Sequence, residues 1–179
     1  VHKGYLEMQG IILAASLKFY NSTDYDLFVA IPRFLGGVAN GISKKTRVFL
    51  SRLGVNFFEI ENQFEHDYLI GNKFGCLNKI TGYKDTLFLD TDIICVGELN
   101  LPKLSEDQIA VKPADRKTYT WSDDVWRSAY REFAQTSAPE NRVDSSCFNE
   151  MMYPYYNAGV IYINTGTKVK INNKTKKKK

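Results

Sequence analysis

Two carboxylates follow a short apolar run near the middle of this 179-residue sequence. The run is Leu87-Phe88-Leu89, and Asp90 and Asp92 come next with Thr91 between them. Side chains two residues apart in an extended chain point to the same side, so these two carboxylates can share one cation, directly or through water. Their oxygens suit a hard divalent ion such as Mn²⁺ or Mg²⁺, which can bridge and neutralise diphosphate oxygens. The pair therefore predicts a metal site for a diphosphate ligand.

The same two acids also have a purely structural interpretation. Aspartates are common where strands end, because their side chains cap turns. In that case Asp90 caps a turn and Asp92 is solvated. Two acids directly after an apolar strand favour the metal site over this alternative.

The elements that must position the acids alternate along the chain. Apolar spacing and turn residues predict three helix–strand pairs, with helices at 10–19, 38–53 and 73–80 and strands at 25–31, 55–60 and 86–89. Pro32 is expected to end the first strand and Gly54 the second helix. This order predicts an α/β fold with a parallel sheet between helices, where ligands bind at the carboxyl ends of strands. Asp90 stands at such an end.

The rest of the chain extends this pattern. Further strands are predicted at 108–113 and 159–163, with a helix at 124–133 inside the long polar stretch that separates them. Because a doubly wound domain usually begins with a strand, the opening helix suggests that a first strand is missing. We expect one domain over residues 1–167 and a lysine-rich tail over 168–179.

Composition limits the class of protein. With 44% hydrophobic and 25% charged residues, the chain is ordinary for one globular domain. The net charge of +4 owes much to the lysines of the tail, which we interpret as a solvated end rather than a nucleic-acid site. Cys76, Cys95 and Cys147 include no CxxC pair, so a reducing, cytoplasmic location is expected. We find neither a membrane-spanning run nor a signal-peptide pattern.

The residues from Leu89 to Asp92 resemble the DxD motif of GT-A glycosyltransferases, particularly the glycogenin-like and bacterial galactosyltransferase-like retaining family eight. Three other segments resemble the same family, in its order and near its spacing. The first consists of Tyr5 and the helical segment that follows it, Gln-Gly-Ile-Ile-Leu-Ala-Ala-Ser-Leu-Lys at 9–18. The other two are Ala-Val-Lys-Pro-Ala-Asp at 110–115 and Tyr-Asn-Ala-Gly-Val at 156–160. The likeness covers most of residues 4–164.

The resemblance implies a GT-A, Rossmann-like fold and transfer of a sugar from a UDP-sugar to an acceptor hydroxyl, with retention and with Mn²⁺ or Mg²⁺. Asp90 and Asp92 would hold the metal and, with Thr91, contact the donor. Tyr5 would stack on the base and Lys73 would contact the donor. Each of the last two also has a plain alternative, since Tyr5 can pack as a staple at a helix start and most exposed lysines bind nothing specific.

A second group of residues would line the sugar or acceptor pocket if the resemblance holds. This group consists of Asp115, Asn157, Ala158 and Gly159. An Asn offers hydrogen-bond donors and an acceptor to sugar hydroxyls, and a Gly allows close approach of the backbone. The alternatives are a turn that enters a buried strand for 157–159 and a turn cap for Asp115.

The sequence departs from the family in its third metal ligand. The family's His in a His-x-x-Gly-x-x-Lys-Pro-like segment, and its Asp-Gln pair, have no counterpart here, and His2 and His66 precede the acids. No nucleophile is assigned. Three other functions remain open: a HAD-type phosphatase with Asp90 as nucleophile, a nucleotidyltransferase, and a binding module that retains the groove without turnover.

Overall fold

A computed structural model gives the fold and describes residues 1, 3–21, 25–33, 41–61, 72–106, 108–116, 122–134 and 137–164. His2, His66 and the lysine-rich tail lie outside the described residues. The chain divides into a first compact unit, 1–109 with the chain from Tyr162 onward, and a second, 110–161. Whether residues 1–167 form one domain stays a prediction.

Helices and strands alternate through the first half of the chain, as predicted. The helices are α1 Tyr5–Tyr20, α2 Lys44–Arg52, α3 Asn72–Lys79 and α4 Asp123–Ala129, the last continued by a π-helical turn at Tyr130–Ala134. The strands are β1 Leu27–Arg33, β2 Val55–Glu61, β3 Asp85–Leu89, β4 Ile109–Pro113, β5 Val143–Asp144, β6 Met151–Met152 and β7 Tyr156–Asn164. None of the described helices is long and apolar enough to span a membrane.

The strands pair locally. β1 and β2 are parallel, in a register that runs from Leu27 opposite Val55 to Arg33 opposite Glu61. A second sheet has the order β3-β7-β4, and β5 and β6 form a short antiparallel pair that was not predicted. The predicted parallel arrangement is confirmed for β1 and β2, and the fold class as a whole stays a prediction.

Several predicted boundaries were wrong, and α1 begins at Tyr5 rather than at 10. β1 continues through Pro32, because a proline that lacks an N–H group is tolerated in an edge strand. α2 begins at Lys44 rather than at 38, since Ser43 caps it by accepting a hydrogen bond from the Thr46 amide. β7 begins at Tyr156 rather than at 159. Gly54, at φ 75°, follows the end of α2 as predicted.

One face of α1 supports the core of the first unit. Ala14 packs with Val29 and Ile31 of β1 and with Leu50 of α2, which is completely buried. On the same helix, Leu13 and Leu17 pack with Cys95, in the segment that follows β3. A single helix therefore contacts both the β1/β2 sheet and the segment that follows the two acids.

In the second unit, aromatic rings pack around α4 and the segment before β7. Trp126 of α4 stacks on Tyr153 with ring centroids 5.7 Å apart, and the Arg142 guanidinium lies 3.4 Å from the Tyr153 ring centroid. The Tyr130 hydroxyl donates a hydrogen bond of 2.8 Å to the Pro154 carbonyl. These contacts fix α4 against the segment that leads into β7.

The carboxylate of Glu7 ties α1 to the beginning of α2. It accepts hydrogen bonds from the Ser43 amide at 2.5 Å and from the Thr46 hydroxyl at 2.8 Å. Partial burial acts to raise the pKa of Glu7, but these hydrogen bonds outweigh it and lower the pKa. A negative charge at a helix N-terminus also interacts favourably with the helix dipole.

We expect Glu7→Gln to destabilise the protein at pH 7 by about 0.5–1 kcal/mol, the range for a partly exposed helix cap. Because the folded-state pKa lies below the ordinary value of 4.5, the stabilisation is present above pH 4.5 and is lost as the pH falls through the folded-state pKa. Thermal unfolding at pH 7 and pH 3 measures this, with Glu98→Gln as the control. A Tm difference that is the same at both pH values would contradict the assignment.

Candidate functional site

β3 places the two acids at its carboxyl end. Asp90 is the first residue after the strand, and its side chain is one-quarter exposed. Thr91 and the exposed Asp92 form the turn that follows. The predicted strand and its terminal acids are therefore confirmed in place.

Lys73, in the first turn of α3, forms an ion pair with Asp90. Its Nζ lies 2.5 Å from Asp90 Oδ2, and both side chains are about one-quarter exposed. A half-buried pair such as this is screened less by solvent than a surface pair. The structure thus places Lys73 next to Asp90, and the Asp90 carboxylate binds the positively charged ammonium group of Lys73.

Gln9 of α1 connects the acidic turn to the helix. The Thr91 hydroxyl donates a hydrogen bond of 3.2 Å to Gln9 Oε1. Tyr5 precedes Gln9 by four residues, so the two side chains share one face of α1. Tyr5 is 78% exposed, so its side chain does not pack as a helix staple.

Two polar side chains of α1 and its C-cap hold the segment that follows the acids. The Cys95 amide donates to the Ser16 hydroxyl at 3.0 Å, and the Leu99 amide donates to Asn21 Oδ1 at 2.8 Å. Asn21 is buried, and its Nδ2 donates to the Leu17 carbonyl at 3.1 Å. No local pattern singles out Asn21, because the Leu99 amide that it binds lies 78 positions away in the chain.

Protein ligands for a metal are few among the described residues. They contain no group of three or more His, Cys, Asp or Glu side chains that could hold an ion. Cys76 lies near Asp90, but burial raises the pKa of its thiol to about 11, so it is protonated at neutral pH. Asp90 and Asp92 are therefore the carboxylates on which a metal site here would be built.

Asp115 belongs to the second unit. Its Oδ1 lies 2.5 Å from Lys112 Nζ and accepts a hydrogen bond of 3.0 Å from the Ser146 hydroxyl. The hydrogen bond from Lys112 is the main reason that the pKa of Asp115 is lowered. Asp115 is therefore ionised and half exposed, with acceptor capacity left for further donors.

Asn157, Ala158 and Gly159 lie near the beginning of β7, also in the second unit. The Gly159 amide donates a hydrogen bond of 2.7 Å to Asn157 Oδ1. This local bond matches the alternative in which the Asn shapes its own backbone. Ala158 is exposed and Gly159 is buried, so the two do not face solvent equally.

A family model described as the Rhodobacterales glycosyltransferase domain matches residues 1–171. The chain belongs to this family. The match covers every residue singled out above, and it makes the protein a transferase that moves a sugar from a donor to an acceptor. No curated protein and no solved structure gives a match.

Membership of the Rhodobacterales glycosyltransferase domain family helps to choose among the functions that the sequence left open. It supports sugar transfer over phosphate hydrolysis and nucleotidyl transfer. The match names a glycosyltransferase domain but specifies neither the GT-A fold nor family eight.

We expect Asn21→Ala to destabilise the protein by about 1–3 kcal/mol, because it leaves the Leu99 amide without its buried acceptor. Urea unfolding measures the change. Asn56→Ala, at an exposed position in β2, is the matched control and is expected to have little effect. Equal unfolding midpoints for Asn21→Ala and the unchanged protein would show that this bond does not support the acidic segment.

Proposed function

We propose that this domain binds a nucleoside diphosphate sugar, most simply a UDP-sugar, at Asp90 and Asp92, and transfers the sugar to an acceptor hydroxyl with the help of Mn²⁺ or Mg²⁺. The observation that carries the proposal is the ion pair at the carboxyl end of β3, where Asp90 binds the ammonium of Lys73. Membership of a glycosyltransferase family supplies the reaction class. The fold we propose is the GT-A type, and the parallel β1-α2-β2 unit supports it.

The two carboxylates fit a divalent ion that the substrate helps to bind. Mg²⁺, and by the same chemistry Mn²⁺, is held in nucleotide sites by one or two carboxylates, with phosphate and water oxygens as further ligands. Asp90 and Asp92 would hold the ion in this way, and the lack of a third protein ligand among the described residues is compatible with it. When bound, the ion would neutralise charge on the departing diphosphate.

Lys73 has two anionic partners in this proposal. Without donor it neutralises Asp90, which would otherwise be a half-buried carboxylate without a counterion. When the donor enters, its diphosphate is a second anion that the same flexible ammonium can reach. Lys73 thus adds positive charge where the leaving group gains negative charge.

The exposed ring of Tyr5 is the proposed platform for the base. Aromatic rings stack on nucleobases with little dependence on base identity. Tyr5 lies on the same face of α1 as Gln9, which contacts Thr91 of the acidic turn. The base platform and the acids therefore belong to one side of the first unit.

The second unit is proposed to contact the sugar or the acceptor. Asp115 is ionised and half exposed, so it can accept hydrogen bonds from sugar hydroxyls. Asn157, Ala158 and Gly159 are also proposed to contact the sugar or the acceptor. Retention of configuration rests on the resemblance to family eight, and the nucleophile is left unassigned.

We expect isothermal titration to show UDP binding that depends on Mn²⁺ and that Asp90→Asn/Asp92→Asn weakens at least about tenfold, or about 1.4 kcal/mol. The physical reason is the loss of both anionic oxygens that would hold the ion. Asp85→Asn, at the opposite end of β3, is the matched control and is expected to bind normally. UDP binding of equal strength with and without Mn²⁺ would contradict the metal assignment. Binding without transfer from any UDP-sugar would indicate a module without turnover.

We expect Lys73→Met to change two affinities in opposite directions. Mn²⁺ alone should bind several-fold more tightly, because the ammonium no longer competes for Asp90, whereas UDP with Mn²⁺ should bind several-fold more weakly. Titration of each ligand measures this, and Lys79→Met, exposed in the last turn of α3, is the control. If both affinities fall together, the substitution has damaged the site and the two roles of Lys73 are not supported.

A further inference from the structure

A short hairpin in the second unit presents an exposed phenylalanine. Residues 145–150 join β5 to β6, and Phe148 stands in the turn at 146–148. Phe148 is 63% exposed. An apolar ring of this size is usually buried, because water solvates it poorly. We call residues 145–150 the Phe148 hairpin.

The base of the Phe148 hairpin is closed by Ser145 and Glu150. The Ser145 amide donates a hydrogen bond of 3.0 Å to the Glu150 carbonyl, and the Glu150 amide donates one of 3.0 Å to the Ser145 hydroxyl. Ser145 is 2% exposed. Asn149 has φ 52°, in the left-handed region that residues other than glycine seldom adopt. Buried hydrogen bonds that hold such a backbone angle indicate a turn with one defined shape.

The tip of the Phe148 hairpin is bonded to the segment that contains Asp115. The Ser146 amide donates to the Ala114 carbonyl at 3.0 Å, and the Cys147 amide donates to the Asp115 carbonyl at 3.1 Å. The Ser146 hydroxyl also donates to Asp115 Oδ1 at 3.0 Å. Phe148 follows Cys147 directly. The exposed ring and the Asp115 carboxylate therefore belong to one small surface.

An ion pair on this surface supplies both kinds of hydrogen-bonding group. Lys112 Nζ lies 2.5 Å from Asp115 Oδ1, and the two side chains are 43% and 49% exposed. An ammonium has several donors and a carboxylate has several acceptor positions, so their mutual bond saturates neither group. The pair thus offers donors and acceptors together, and its two charges compensate each other.

We propose that Phe148, Asp115 and Lys112 form a subsite that binds one pyranose ring of a saccharide acceptor. This inference rests on the proposed function, in which the second unit contacts the acceptor. A pyranose ring has apolar C–H groups on its faces and hydroxyl groups around its rim. The face of an aromatic ring is negative and apolar, so it can cover the C–H groups. The hydroxyls can donate to Asp115 and accept from Lys112.

The charges of the subsite disfavour a membrane and the donor diphosphate as its ligand. To insert Phe148 into a bilayer, the protein would have to bring the Lys112–Asp115 pair close to hydrocarbon, where both charges lose water. A diphosphate would be repelled by the Asp115 carboxylate. A neutral ligand rich in hydroxyls avoids both costs. The defined shape of the turn also reduces the conformational entropy that is lost when such a ligand binds.

The test measures binding of the methyl pyranosides of glucose, galactose, mannose and N-acetylglucosamine to the 179-residue protein by saturation-transfer NMR. We expect at least one of them to bind with a Kd on the order of 1–10 mM. Phe148→Ala and Phe148→Leu should each weaken this binding at least about fivefold, because both remove the ring, and Phe148→Tyr should retain it. Phe19→Ala removes a still more exposed ring from α1 in the first unit and is the matched control, with binding expected to be unchanged.

A second variant addresses the polar half of the subsite. Asp115→Asn keeps the size of the side chain but replaces an ionised acceptor with a neutral amide, which accepts hydrogen bonds less strongly. We expect it to weaken glycoside binding at least about threefold. Thermal unfolding of both variants checks that the Phe148 hairpin keeps its fold.

Four results would overturn the proposal. The first is the absence of saturation transfer from the unchanged protein to any of the four glycosides. The second is equal glycoside affinity for Phe148→Ala and the unchanged protein. The third is binding to phosphatidylcholine vesicles that Phe148→Ala abolishes, which would assign the ring to a membrane surface. The fourth is a loss of affinity for UDP-glucose or UDP-galactose in Phe148→Ala without a loss for UDP, which would assign the ring to the sugar of the donor.

UDP titration with Mn²⁺ keeps this test separate from the proposed function. UDP should bind equally to Phe148→Ala and to the unchanged protein, because the subsite is proposed for the acceptor. If UDP fails to bind the unchanged protein, the proposed donor site is contradicted, whereas the glycoside results still decide whether Phe148 binds a pyranose ring.

Discussion

The packing of one face of α1 is the interaction on which the first unit depends. Ala14 lies against β1 and α2, while Leu13 and Leu17 lie against Cys95 in the segment after the acids. Burying each of these larger side chains contributes about 1.5–3 kcal/mol, a large part of the stability of a small domain. The same helix presents Ser16 and caps itself with Asn21, and both bond to the backbone that follows Asp90. The contacts of α1 therefore both stabilise the first unit and hold the acidic turn in position.

A half-buried carboxylate at the end of β3 requires a counterion, and this requirement connects the fold to the proposed chemistry. In the structure Lys73 supplies the positive charge. A divalent ion with a diphosphate would supply more charge and would release Lys73 to the phosphate oxygens. In the proposed function, one cation would thus replace another at Asp90 as the donor binds.

Two kinds of observation support different parts of the functional conclusion. Membership of the Rhodobacterales glycosyltransferase domain family establishes that the protein is a transferase. The Asp90–Lys73 ion pair is the observation on which the proposed phosphate-bearing donor at β3 rests.

The sequence by itself determined the order of helices and strands in the first half of the chain and the place of Asp90 at a strand end, since these follow from local periodicity and turn residues that lie close together in the chain. It also pointed to sugar transfer, through motifs in the order that the resemblance requires. Only the tertiary structure decided that Lys73 pairs with Asp90 and that Asn21 holds Leu99. It also decided that β1 continues through Pro32. Each of these depends on which separate segments of the chain pack together, and a local sequence pattern does not specify that pairing.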